Sequence, residues 1–220
     1  MNTNFDVVCV GVMVADVLAQ GVDQSIFQRE MTRVPLKLST GGDAFNQAIN
    51  ISSMGYKVAL CGKVGKDGVG NFLISEANNH NINTSSISID NDHQTSVTIV
   101  LINENGERNF IGTQNGTNGY LTAKDINTEL FKTYRIVSIG SIYGSLSFTG
   151  EEISTILEEA KKMNCITVAD MMHADRGSIE DATKTLKFVD FFLPNLKEAE
   201  SLTGKSNLEE ISDVLLNIGV

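Results

Sequence analysis

The order of apolar and polar positions divides the chain into alternating strands and helices. Phe5-Asp6-Val7-Val8-Cys9-Val10 is a nearly continuous apolar run ending at Gly11, the pattern of a central strand buried on both faces. The next stretch alternates weakly and carries Gly21 and Pro35, which predicts short exposed strands. Beyond Gly41-Gly42 the period changes: Ala44, Ala48, Ile51 and Met54 fall near helical spacing from Asp43 to Met54, and Gly55 is a natural stop. Lys57–Cys61 then predicts a short strand. A second helix follows from Asp67 to about Asn79, with Phe72, Leu73 and Ala77 on one side.

Residues 95–112 break this alternation. Thr95–Ile102 and Asn109-Phe110-Ile111 are rich in strand formers and flank Asn105-Gly106, a hairpin signal because both turn residues tolerate positive φ. The hairpin therefore belongs outside the main sheet. Further on, the pattern predicts a helix at Thr122–Phe131, strand Ile136–Ile139 and a helix from Glu151 to Met163 with the stripe Ile153, Ile156, Leu157 and Ala160. Strand Cys165–Ala169, a helix near Ser178–Leu186, strand Val189–Leu193 and an amphipathic helix at Leu208–Ile218 complete it. Repeated strand–helix–strand units with β-branched strands imply an α/β fold, a parallel sheet covered by helices on both faces. Because the last helix normally feeds another strand, the chain reads as truncated at the C-terminus, in mid-fold.

Composition narrows the function. Against 17 Lys and Arg stand 27 Asp and Glu, a net charge of −10, with a pI near 4.7 and a mean hydropathy of −0.03. That balance argues against a nucleic-acid or anionic-membrane binder, leaving room only for a local basic phosphate pocket. The apolar run Val7–Ala19 is too short for a bilayer, contains Asp16 and lacks a basic leader, so neither a signal peptide nor a membrane span is read. Cys9, Cys61 and Cys165 are far apart without a CxxC, as small buried hydrophobes of a reducing compartment would be. The expectation is an acidic, cytoplasmic protein.

Four places carry candidate chemistry. Gly41-Gly42 opens a helix with Asn46 one turn inside: backbone N–H groups can approach a ligand, and Asn46 offers a donor and an acceptor to a sugar hydroxyl. A tight turn before an ordinary helix is the simpler account. Asp16, beyond the first strand at a carboxyl end, can accept two hydroxyl hydrogen bonds, or be a surface acid. Gly11 to Asp16 lacks dinucleotide-fingerprint spacing, and Gly62–Gly70 is no Walker A loop, since Asp67 follows Lys66; Asp67 reads as a helix N-cap. Asn195 and Glu198, three apart after a buried strand, either face one pocket and hold Mg²⁺ through water or form a capping box. Asp170 would join that acidic rim. His80 and His93 lie in polar, exposed stretches, and His173 follows Asp170 as a remote metal candidate.

The order of these signals is specific. Gly41-Gly42-x3-Asn46-x-Ala48, Met54-Gly55 and Gly62-x-Val64-Gly65-x-Asp67-x2-Gly70 resemble the N-terminal signature of the PfkB family of carbohydrate kinases, the ribokinase-like superfamily. The likeness continues through Asn105–Phe110, Gly116-Thr117-Asn118 and Pro194-Asn195-x2-Glu198-Ala199-x2-Leu202-Thr203-Gly204. The resemblance implies a three-layer α/β/α sandwich with a small β-sheet lid, one kinase domain over 1–220 with lid segments at about 12–39 and 94–113. It implies sugar binding by Asp16, Gly41, Gly42 and Asn46, cofactor binding by Asn195 and Glu198, and metal binding by Glu198 and Asp170. The implied reaction is ATP γ-phosphoryl transfer to a primary hydroxyl of a monosaccharide, with Mg²⁺, a monovalent cation as an option, and a homodimer through the lid. The Gly-Ala-Gly-Asp stretch bearing the family's base and anion hole is absent, so the base is expected beyond Val220 and this chain alone is expected to be inactive. Val14 and Asp43 replace residues usual in ribokinases, and Ala174 replaces an arginine usual in fructokinases. A nucleoside or sugar-acid kinase and a non-catalytic sugar-binding protein stay open.

Overall fold

The computed structural model describes residues 5–172 and 177–220. Its main sheet is built on β1 (Val7–Gly11), in which every residue is buried. Parallel neighbours flank it: β4 (Val58–Cys61) on one side, and on the other β9 (Ile136–Ile142), then β10 (Ile166–Met171) and β11 (Phe191–Phe192). The order is β11-β10-β9-β1-β4. The unbroken apolar run follows from burial on two faces. Val8 and Val10 enter one core with Ile153, Ile156 and Leu157 of α3 (Gly150–Lys162) and Ala182 and Leu186 of α4 (Ile179–Leu186). Val7 and Cys9 enter the other, with Ala44, Phe45 and Ala48 of α1 (Asp43–Ser53) and Leu73 and Ala77 of α2 (Gly68–Asn79). The three cysteines are buried free thiols.

A second sheet stands apart, with order β3-β2-β7-β8: β2 (Val14–Gln20), β3 (Leu36–Gly41), β7 (Val97–Ile102) and β8 (Arg108–Gly112). Its outer pairs are antiparallel, while β2 and β7 run parallel. The exposed strands and the hairpin thus share one small sheet. The hairpin loop is wider than Asn105-Gly106 predicts: Ile102 pairs with Arg108, and Asn103 Oδ1 accepts from the N–H groups of Asn105 and Glu107. Only Gly106 of that turn takes positive φ. A short parallel pair, β5 (Lys63–Gly65) and β6 (Ser88–Asp90), links the two sheets.

Two elements differ from expectation. In place of a helix at Thr122–Phe131 there are 3₁₀ turns at Ala123–Asp125 and Thr128–Lys132. Asp125 closes a capping box on Thr122 and is held by Lys63 Nζ at 2.8 Å and Ser88 Oγ at 3.0 Å, while Asn127 caps the next turn. Such side-chain bonds compete with helix propagation. The strand expected at Val189–Leu193 pairs only through Phe191 and Phe192. Helix α5 (Leu196–Thr203) follows, and α6 (Leu208–Ile218) packs its end against the α3 core through Leu215 and Ile218. Cover of the α1 face is incomplete: beside α1, a groove of about 640 Å³ runs along β9 and β10, lined by Ile51, Met54, Ile136, Val168 and Leu193. His93, expected in the open, is only partly exposed and stacks on Tyr120 with ring centroids 3.5 Å apart.

Candidate active site

The joint between the small sheet and the main sheet gathers most of the candidate residues. Asp16 is the third residue of β2, between Ser39 of β3 and Thr98 of β7. It is half-buried, and burial pushes its carboxyl above the ordinary value. It sits within a strand of the small sheet, since the chain turns straight from Gly11 through Val12-Met13 into β2.

Its carboxylate lies on Gly41. A Cβ there would stand 2.3 Å from Asp16 Oδ2, so any side chain would displace the acid. Gly42, the N-cap of α1, has φ +88°, and a Cβ on it would meet the Val12 carbonyl at 2.3 Å. The Gly-Gly pair is therefore a tight turn, and that turn also brings a carboxylate to the positive end of an eleven-residue helix. Asn46 follows one turn inside α1, solvent-exposed, its N–H donating to the Gly42 carbonyl.

A second group lies along β9 and β10, with Ser138 near the middle of β9 and Ser141 and Asp170 toward the carboxyl ends. Gln47 Nε2 donates to Asp170 Oδ2 at 3.2 Å, and Ser138 Oγ donates to Gln47 Oε1 at 2.8 Å. Ser141 Oγ donates to Asp43 Oδ2 at 2.6 Å. Asp170 Oδ1 is buried with no hydrogen-bond partner. Burial first, then the charges of Asp43 and Glu198, raise the Asp170 carboxyl to about 7 against the lowering effect of the Gln47 bond. Gln47, Ser138, Ser141 and Asp43 were not singled out from sequence as site residues. Helix phase alone marks Gln47, a polar residue three positions after Ala44 and four before Ile51 on the apolar stripe; nothing local marks the serines.

The Asn195–Glu198 pair forms a capping box on α5: Asn195 Oδ1 accepts from the Glu198 N–H at 3.0 Å, and Glu198 Oε2 from the Asn195 N–H at 2.8 Å. The structural alternative is thus realised, and these oxygens are partly committed to backbone. Among the described residues no cluster of three or more His, Cys, Asp or Glu has an arrangement that could hold a metal ion. Asp170 Oδ1 is buried and unpartnered, and Glu198 lies close enough for its charge to act on the Asp170 carboxyl. His173 and Ala174 lie outside the described residues. A concavity of about 750 Å³ between α3 and α4 contains none of these groups, and its charged residues Glu151, Glu158, Asp181, Lys184 and Lys187 are exposed.

A parallel sheet flanked by helices, with a small separate sheet joined to it through Val12-Met13 and a carboxylate at that joint, defines an α/β fold of two sheets. Residues 4–219 match the sequence profile of the pfkB family of carbohydrate kinases, and the chain belongs to that family. It is 28% identical over 189 residues to fructokinase-1 of Zea mays, covering 81% of this chain and 57% of the relative. It is also 28% identical over 172 residues to the 5-dehydro-2-deoxygluconokinase of Clostridium botulinum, covering 77% and 50%. The structure of Arabidopsis thaliana ribokinase complexed with ribose and ATP superposes with a TM-score of 0.75 at 19% identity, over 97% of this chain and 68% of that one. The fold is ribokinase-like. The chain spans about half the length of the curated relatives it matches. Among the described residues no helix is long and apolar enough to cross a membrane.

Proposed function

We propose that this chain carries the sugar-binding portion of an ATP-dependent carbohydrate kinase that transfers the γ-phosphoryl group to a primary hydroxyl of a monosaccharide. The observation that carries the reading is the Asp16 carboxylate seated on Gly41 where the small sheet meets the N-terminus of α1. A partly desolvated carboxylate accepts two sugar hydroxyls strongly, and the adjoining helix end supplies N–H donors and an exposed amide, Asn46. Sugar-bound, the small sheet would serve as a lid over this joint, excluding water from the transfer.

Family membership brings ATP and Mg²⁺ into the proposal. Asp170 and Glu198 are the residues that would face the hydrated ion; its charge would stabilise the triphosphate during transfer. A monovalent cation is an option with no residue assigned to it. The catalytic base and anion hole of the family are expected outside these 220 residues, in keeping with the span of the relatives, so the chain's own work is to bind and orient the sugar. A homodimer through the lid is supported by an apolar row on its outer face: Leu38, Val17, Ile99 and Ile111 are register partners and point away from the Asp16 face. Leu38 and Ile111 are each 53% exposed.

The test is calorimetric titration of a panel of ketoses, aldoses, nucleosides and sugar acids against the chain and its Asp16→Ala variant. Loss of the charged acceptor should weaken binding of the preferred ligand by about 1.5–3 kcal/mol, roughly 10–150-fold. Unchanged affinity in the variant would remove Asp16 from the site. A preference for nucleosides or sugar acids would redirect the acceptor class, and sugar binding without phosphoryl transfer by the full-length protein would assign a binding role alone.

A further inference from the structure

The motif Gly65-x-Asp67-x2-Gly70 reads from sequence as a turn with a helix cap, and an N-cap needs only one bond from an early helix N–H. Asp67 makes that bond, from Gly70 N to Oδ1 at 2.7 Å. It also makes two that a cap does not require. Thr95 N donates to Oδ2 at 2.7 Å, and Thr95 Oγ1 donates to Oδ1 at 2.8 Å. The Thr95 hydroxyl in turn accepts from Gly65 N at 2.8 Å, and Thr95 is 1% exposed. Both glycines leave space for this contact: a Cβ on Gly65 would stand 2.6 Å from Thr95 N, and one on Gly70 3.0 Å from Thr95 Oγ1.

Thr95 is where the chain leaves the core for β7. Ser96, next in sequence, accepts through its carbonyl from Ala15 N at 3.0 Å, one residue before Asp16. Its hydroxyl accepts from Asn118 N at 3.0 Å, and its N–H donates to the hydroxyl of the fully buried Thr117, on the segment returning from β8. Bonds therefore run without a break from Asp67 through Thr95 and Ser96 to the strand that carries Asp16. Burial would raise the Asp67 carboxyl, but the bonds from Gly70 and Thr95 hold it below the ordinary range, keeping it an acceptor.

We propose that Asp67 is a positioning residue for sugar binding: by pinning Thr95 it fixes the root of the lid sheet, and through Ser96 and Ala15 it sets where Asp16 stands over Gly41. This rests on the sugar-binding reading above and adds a residue that never touches the sugar.

The test uses the chain with Asp67→Asn, Thr95→Val and Thr95→Ser. Amide hydrogen exchange is read at Ala15, Val97 and Val100 against Cys9 and Leu60 of the main sheet, and the ligand found by the sugar panel is titrated in parallel. Asp67→Asn and Thr95→Val should speed exchange in the small sheet about tenfold or more, leave the main sheet unchanged and weaken sugar binding by a similar factor. Thr95→Ser, which keeps the hydroxyl, should restore both. Variants that lose thermal stability yet bind the sugar with wild-type affinity overturn the proposal, as does exchange that accelerates equally in both sheets. Should the wild-type chain bind none of the panel, the sugar-binding reading falls by itself. Exchange then decides the anchor: acceleration confined to the small sheet upholds it, and uniform or absent acceleration sinks it.

Discussion

Replacing Asp170 with asparagine keeps the side chain's shape and leaves an oxygen to accept from Gln47, but removes a charge. In the folded chain burial, Asp43 and Glu198 raise this carboxyl from 3.8 to about 7. Between those values the folded state holds a proton that the unfolded state has released. Stability therefore falls as pH rises through that window and levels off above it. A difference of about 3 between the folded and unfolded carboxyls corresponds to ~4 kcal/mol, and partial solvent access reduces this to about 2 kcal/mol. Asp170→Asn has no such titration. It should exceed the wild type by about 2 kcal/mol near pH 8, or roughly 4–8 °C in Tm for a chain of this size, and match it near pH 4. Urea denaturation of both proteins across that range reads the effect directly. A variant whose advantage over the wild type does not grow between pH 4 and 8 would refute the account of Asp170 as a buried acid facing like charges.

Gly41→Ala should act on binding more than on folding. The added methyl stands 2.3 Å from Asp16 Oδ2, so the carboxylate must shift, and sugar affinity should drop by about 10- to 100-fold while far-UV circular dichroism is retained. Unchanged affinity would mean that the acid is not held in place for the sugar. Lys63→Met tests the junction between β5, β6 and the 3₁₀ turns. Lys63 Nζ, on a side chain 12% exposed, bonds the Tyr120 carbonyl at 2.7 Å and Asp125 at 2.8 Å, with Asp90 at 3.9 Å. Leaving those carboxylates uncompensated should cost about 2–4 kcal/mol in denaturant near neutral pH. Burial would raise Asp125, but the bonds from Lys63, Thr122 and Ser88 hold it low, so the stability it contributes is present above the ordinary carboxylate value and fades as pH falls through the lowered one. The variant's deficit should shrink on acidification, and a deficit independent of pH would contradict the ionic role.

What the sequence determined by itself is the part of the molecule governed by local periodicity. β1 was legible because a strand buried on two faces must be apolar at every position, and α1, α2 and α3 because one buried stripe imposes a repeat near 3.6 residues. The Asn195–Glu198 capping box was legible as one of two readings, since its partners are three residues apart, and the ordered motifs from Gly41 to Gly204 pointed to the family. Tertiary structure alone decided the rest. The two tight turns at 122–131 rest on local caps by Asp125 and Asn127, but that Lys63 holds Asp125 from far up the chain was decided by tertiary structure. The company of Asp170 was decided by Gln47, a hydrogen bond spanning 123 positions, and by the approach of Asp43 and Glu198. That Asp67 is an anchor as well as a cap followed from Thr95, 28 positions away. These are contacts between groups whose spacing along the chain carries no period, and their chemistry arises from desolvation and charge, which exist only once the sheets and helices have been brought together.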